Sequence, residues 1–209
     1  MLLDNGYARQ DQALLYRTHA QSRVFEEALR RNNLPYRVVG GLRFYDRAEV
    51  KDLLAYLRVV HNPEDDVSLL RIINKPARGI GKTTLTRMVE VATLGGTSLH
   101  AGLLAMRDDT SQAAAARKKL GAFSDMLEQL RAQRDQRPAT LARDILQVTG
   151  YIDYLRAEDT PEADSRIENI QEVLSSMDQY QQDAETPSLT EFLELVTLET
   201  DADRAIPRS

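Results

Sequence analysis

Residues 78–85 read RGIGKTTL, and the fold turns on whether they end an ATP-binding loop or join two helices. A loop of the G-x-x-x-x-G-K-[ST] kind needs its first glycine so that the backbone can wrap the phosphates before the lysine reaches the terminal ones. Gly81, Lys82 and Thr83 supply the end of that pattern, but the first-glycine position holds Pro76, which has no N–H to donate and a fixed φ. Such a loop also follows a β-strand. The preceding DDVSLLRIINK instead puts Val67, Leu69, Leu70, Ile72 and Ile73 on one face of a helix. The nucleotide reading fails on spacing, and the stretch becomes a Gly-Ile-Gly connector between helices.

Outward from the connector, the chain reads as all-helical after Gly41. Asp46 is placed to cap RAEVKDLLAYLRVVHN, whose Val50, Leu53, Leu54, Leu57 and Val60 share a face. NPEDD (62–66) is a turn and N-cap into the helix before the connector. TTLTRMVEVATL (83–94) is helical and stops at Gly95-Gly96. Helices follow at 98–106, 111–137 and from Pro138 to Gly150, with the proline at the first helical position. YIDYLRA, 164–183 and 188–199 complete the set, and the tail 201–209 has no core face and is expected to fray.

The first forty residues differ. QALLYR (12–17) and LPYRVVGG (34–41) read as strands around an amphipathic helix at 20–33 that carries Val24, Phe25, Ala28 and Leu29. One β-α-β unit cannot form a sheet with both faces covered, so this part is expected to be a piece of a larger α/β domain. The expected class is mainly α, with a helix-hairpin-helix element, preceded by a partial β-α-β stub. The expected division is 1–42, 43–203 and a disordered tail at 204–209.

The 209 residues are 42% hydrophobic and 28% charged, an ordinary soluble composition. There is no cysteine, hence no disulfide framework or thiolate metal site, and the 3 histidines (His19, His61, His100) lack metal spacing. No apolar run reaches membrane-spanning length and no signal peptide opens the chain, so the expected setting is cytoplasmic, without a membrane partner. The net charge of −5 argues against a general nucleic-acid binder. Its distribution is uneven: Val67 to Val89 holds Arg71, Lys75, Arg78, Lys82 and Arg87 and no acidic residue, while residues 120–204 are strongly acidic. A basic patch on an acidic body suits a focused phosphate contact; a solvated helix face is the alternative.

The connector has the chemistry for that contact. Gly79 and Gly81 allow unusual backbone angles and close approach. The unpaired N–H groups at the start of the following helix suit a phosphate oxygen. Arg78 and Lys82 add charge, and the Thr83 and Thr84 hydroxyls can donate. None of these groups reads a base, so the expected mode is sequence-independent and salt-sensitive. A plain αα-turn, with glycines capping and threonines at the N-cap, stands beside it. No acid/base constellation accompanies it, and the carboxylates of 153–203 read as solvated faces.

Residues 13–85 together resemble the UvrD/PcrA/Rep family of superfamily 1 DNA helicases. YRTHAQSR (16–23) resembles that family's segment on its 2A domain, with His19 where asparagine is usual. GGLRFYDRAEVKD (40–52) resembles the crossing from 2A into the inserted 2B subdomain. ARGIGKTTL (77–85) resembles the 2B Gly-Ile-Gly motif, and SRIENIQEVLS (165–175) a later 2B helix. The resemblance is dense to residue 94 and thin from 95 to 160. The family's nucleotide-binding and arginine motifs find no match, so the chain looks like an excised 2B subdomain with a stub of 2A, and by itself neither ATPase nor helicase.

The resemblance implies a parent that is an ATP-dependent 3′-to-5′ helicase using ATP and magnesium, with no cofactor in this segment. It implies a mobile 2B subdomain that grips duplex DNA, or a single/double-strand junction, through Arg78, Gly79, Ile80, Gly81, Lys82, Thr83 and Thr84. Gly40 and Gly41 would lie at the hinge, and Arg17, Gln21 and Arg23 on the 2A surface. Its partners would be DNA, the remaining helicase domains and repair or transcription proteins. The alternative is a protein-interaction and autoinhibitory module built on the acidic helices. A free-standing enzyme has no supporting residues, and exposed LLYR and YRVV strands would favour dimerisation through the stub.

Overall fold

The computed structural model describes residue 8 and residues 12–16, 21–36, 38 and 44–205. Its elements run α1 (Ser22–Arg31), a 3-10 turn (Phe44–Asp46), α2 (Ala48–His61), α3 (Asp66–Ile72), α4 (Lys82–Gly95), α5 (Leu99–Asp108), α6 (Ala114–Arg131), α7 (Pro138–Thr149), α8 (Tyr151–Arg156), α9 (Pro161–Asp183) and α10 (Leu189–Ala205). The class is mainly α, as the sequence indicates.

The centre is α2. Val50, Leu53, Leu54, Leu57, Val59 and Val60 are all buried. A helix apolar on nearly every side must be surrounded, and α3, α6, α7, α9 and α10 all pack on it. Its start differs from the expected cap. Arg47 is the N-cap and no side chain caps the helix; Asp46 sits in the 3-10 turn and pairs with Lys51 Nζ at 2.7 Å.

Punctuation residues set the other ends. Asp65 caps α3, accepting from the Ser68 N–H at 3.0 Å and its hydroxyl at 2.7 Å. Gly96 and Gly150 close α4 and α7 in the left-handed region, with φ of 60° and 64°. Ser98 caps α5 and Thr160 caps α9, with Pro161 in the first turn. The pair α4–α5 packs closely at Gly102, where a Cβ would lie 2.9 Å from the Met88 carbonyl oxygen. The helix α6 is shorter than expected, and α10 continues through Ala205, into the stretch expected to fray.

The N-terminal part departs furthest from expectation. Residues 12–16, 34–36 and 38 carry no strand, and no strand occurs among the described residues. A strand is completed by its ladder partner, and among the described residues these segments have none. The helix between them forms, but with inverted burial: Ser22, Arg23 and Glu26 are buried, while Val24 is 55% exposed. It is held to the body by polar contacts.

Candidate nucleic-acid interface

The connector from Ile73 to Gly81 is fixed from beneath by three side chains. Asn74, just past α3, donates from Nδ2 to the Ile80 carbonyl at 2.7 Å, and its Oδ1 accepts from the N–H groups of Ile80 (3.2 Å) and Arg78 (3.3 Å). One carboxamide thus closes the loop. Tyr56 of α2 donates its hydroxyl to the Lys75 carbonyl. Burial pushes that phenol up to about 12, against the pull of the neighbouring Arg78 charge.

Arg78 is the third. Its Nη1 donates to the carbonyls of Ile72 (2.9 Å), Pro76 (3.2 Å) and Ile73 (3.3 Å). These include carbonyls that the end of α3 leaves without helical partners, where a cation also suits the helix dipole. Nη2 donates to the Tyr56 hydroxyl at 2.5 Å, and the guanidinium lies 5.0 Å from the Phe123 ring centroid. Ile80 is 4% exposed and part of the core. The side chains of Arg78 and Ile80 therefore point into the fold and brace the loop.

The outer surface is made by the remaining residues of the motif. Gly79 has φ +67°, which a side chain would resist, and its carbonyl accepts from Lys119 Nζ at 2.7 Å. Gly81 has φ −70° and ψ 159°, angles open to any residue, and a Cβ there would meet nothing within 4 Å. It is the N-cap of α4, and no side chain caps that helix. The N–H of Leu85 makes the first helical bond, to Gly81 O at 3.1 Å. The N–H groups of Lys82, Thr83 and Thr84 thus have no helical acceptor. Lys82 and Thr83 are exposed and Thr84 half-buried. A shallow depression beside them is lined by Lys82, Thr83, Thr86, Arg87 and Glu90.

The basic stretch is less free than its composition suggests. Arg71 Nε is held by Asp52 at 2.7 Å, and Asp52 also accepts from the Tyr151 hydroxyl at 2.7 Å. With Arg78 turned inward, Lys75, Lys82 and Arg87 remain as exposed cations. Near Arg87 lies Asp109, whose carboxyl is held at about 2 by hydrogen bonds from Gln112 and Ser111.

Of the expected hinge and 2A residues, Arg17, Gly40 and Gly41 lie outside the described residues. Gln21 is exposed at the start of α1. Arg23 is buried, with Nε 2.6 Å from Glu172 of α9 and Nη1 2.5 Å from Glu27. Beside it, Arg47 Nη1 donates to Asn169 Oδ1 at 2.6 Å and Nη2 to Ser22 Oγ at 2.7 Å, while Asn169 Nδ2 donates to Glu49 at 2.5 Å. Two of the sequence segments quoted above, DRAEVKD and SRIENI, therefore share one buried polar cluster. Sequence reasoning missed Asn74, Tyr56 and Lys119. Only Asn74 carried a local signal, as an asparagine just beyond a helix end.

The sequence matches the family model of the UvrD-like helicase C-terminal domain over residues 1–208. It is 44% identical over 195 residues to the ATP-dependent DNA helicase PcrA of Bacillus subtilis, covering 93% of this chain and 26% of that protein. The ATP-dependent DNA helicase PcrA of Staphylococcus aureus is 39% identical over 204 residues, which is 96% of this chain and 28% of that protein. The chain thus spans about a quarter of the length of the curated relatives it matches.

Proposed function

The chain belongs to the UvrD-like helicase C-terminal domain family, and from that premise we propose that residues 43–203 are the helical accessory 2B subdomain of a cytoplasmic ATP-dependent 3′-to-5′ DNA helicase. Residues 1–42 are then a segment of its 2A domain, with the hinge at Gly40 and Gly41. The subdomain grips duplex DNA, or the junction ahead of unwinding, through the phosphate backbone and without reading sequence. The connector between α3 and α4 serves as the helix-hairpin-helix element.

One observation carries this reading. The connector is braced on its inner side by Asn74, Tyr56 and Arg78, while its outer side offers the exposed Gly81, Lys82 and Thr83 and an uncapped helix start. Fixed N–H donors beside a lysine suit an oxyanion and discriminate nothing about bases. The pattern also argues against a bare αα-turn, since a turn that served only to end a helix would not need an open Gly81.

The outward side of the N-terminal segment supports its place in a larger domain. Leu15 is 93% exposed and Val24 55% exposed, as expected of residues that meet the remaining helicase domains. Among the described residues, no group of three or more His, Asp or Glu side chains could hold a metal ion. Pro76 stands where a phosphate loop needs its first glycine. On this reading ATP and magnesium belong to the parent's other domains, and these 209 residues are expected to show no ATPase or unwinding.

The test is fluorescence anisotropy of a labelled duplex with a 3′ single-stranded tail, titrated with this chain at low and moderate salt. Salt-sensitive binding abolished by Lys82→Glu supports the reading. Binding that survives the substitution moves the contact elsewhere. Absence of binding at low salt favours the protein-interaction and autoinhibitory alternative.

A further inference from the structure

We infer that Lys119 is a second phosphate-binding residue of the same surface, an inference that rests on the backbone-gripping reading above. Lys119 lies on α6, 40 residues beyond Gly79, yet its Nζ donates to the Gly79 carbonyl at 2.7 Å. It is the group that a Cβ on Gly79 would meet first, at 3.1 Å. The residue is exposed. An ammonium has three donor hydrogens, and Gly79 takes one. With the side chain exposed, the other two remain available to a phosphate oxygen that meets the loop at Gly79.

Charge accounting points the same way. The local sequence places five cations around the connector, and the fold removes two of them: Arg71 to Asp52 and Arg78 to the carbonyls of α3. Lys119 returns one positive charge to the outer rim, from the basic run Arg117-Lys118-Lys119 on α6. Its neighbours divide the possible roles. Arg117 turns its Nε to the Arg107 carbonyl at 3.1 Å, and Lys118 is exposed and makes no hydrogen bond to the connector. Lys119 alone of the three reaches the loop.

A purely structural lysine would brace Gly79 and nothing more. Lys119→Gln keeps a donor, one bond shorter, and carries no charge, while Lys119→Arg keeps both donor and charge. Lys118→Gln removes the same charge one residue away. Binding of the tailed duplex is measured from low to moderate salt for wild type, K119Q, K119R, K118Q and K82E, with thermal melts to confirm folding. Each phosphate neutralised contributes about 0.9 to the slope of log K against log salt on B-form DNA. K119Q is expected to flatten the slope by about that amount and to weaken binding at low salt. K119R is expected to keep the slope and K118Q to leave it nearly unchanged. If K82E abolishes binding while K119Q keeps the wild-type slope, Lys119 is only a brace and the inference is overturned while the parent reading stands. Equal effects of K119Q and K118Q would also overturn it, showing a diffuse charge effect. If wild type fails to bind, or binds unaffected by K82E, the parent reading fails and this inference with it.

Discussion

The guanidinium of Arg78 donates to the hydroxyl of Tyr56 at 2.5 Å, and that hydroxyl donates onward to the carbonyl of Lys75. The two side chains tie α2 to the connector before α4. Tyr56→Phe removes the Lys75 carbonyl's donor and one acceptor of Arg78, and is expected to cost about 1–3 kcal/mol. Arg78→Ala takes a donor from three carbonyls and from the Tyr56 hydroxyl at once, and is expected to cost more, roughly 2–4 kcal/mol. Urea denaturation measures both. A surface arginine that only met phosphate would leave the midpoint unchanged on removal, and that result would refute the bracing role.

Gly79 and Gly81 are expected to part company on substitution by alanine. At Gly79 the backbone is left-handed, so alanine strains it by about 1–2 kcal/mol and pushes against Lys119 Nζ. At Gly81 the angles are ordinary and the space is open. There the lost cap preference is offset by reduced freedom of the unfolded chain, leaving stability within about 0.5 kcal/mol. The methyl group of Gly81→Ala would nonetheless stand beside the exposed N–H groups of α4. DNA binding should therefore fall at Gly81→Ala with the melting temperature held, and a fall in both or in neither would sink the idea of close backbone approach.

These positions show what can be read in the sequence and what cannot. The stripe of α2, the Asp65 cap, Pro138 and Gly150 act within a few residues, so their local pattern states their role. The surface of the connector was legible for the same reason: Lys82 and Thr83 begin a helix. Arg78 was not, because a cation's partner is chosen by tertiary neighbours, here Tyr56 and Phe123. Lys119 was hidden by its separation of 40 positions from Gly79. The N-terminal apolar segments read as strands, yet strand formation depends on a neighbouring strand to complete the ladder.

The buried cluster around Asn169 should behave as one unit. Asn169→Ala leaves Arg47 and Glu49, 6% and 5% exposed, short of a hydrogen bond each. A cost of about 3–5 kcal/mol is expected for breaking a buried charged network by removing one member. Glu172→Ala acts differently. It frees Arg23 Nε, and with it one tie from α1 to α9. Hydrogen exchange followed by mass spectrometry is expected to show faster exchange across Ser22–Arg31 with α9 unchanged. Unaltered exchange in α1 would mean that this ion pair does not hold it.

His100 offers a test by pH. It is 9% exposed on α5, its Nε2 has no hydrogen-bond partner, and Glu128 Oε1 lies 3.8 Å away. Burial lowers its pKa, and the Arg131 charge lowers it further; Arg107 adds to this, while Glu128 and Glu64 oppose it. The folded state therefore binds this proton less readily than the unfolded chain, whose histidine titrates near pH 6.5. Above that pH neither state is protonated at His100 and its stabilising share is intact. As pH falls through 6.5 the unfolded chain gains the proton first, and stability drops until the folded pKa is passed. Melting temperatures between pH 5 and 8, taken for wild type and His100→Gln, isolate this share from that of the carboxylates. The difference between the two curves should widen or narrow only below about pH 6.5, in the direction of wild type losing more. Parallel curves across the range would show that His100 titrates alike in both states.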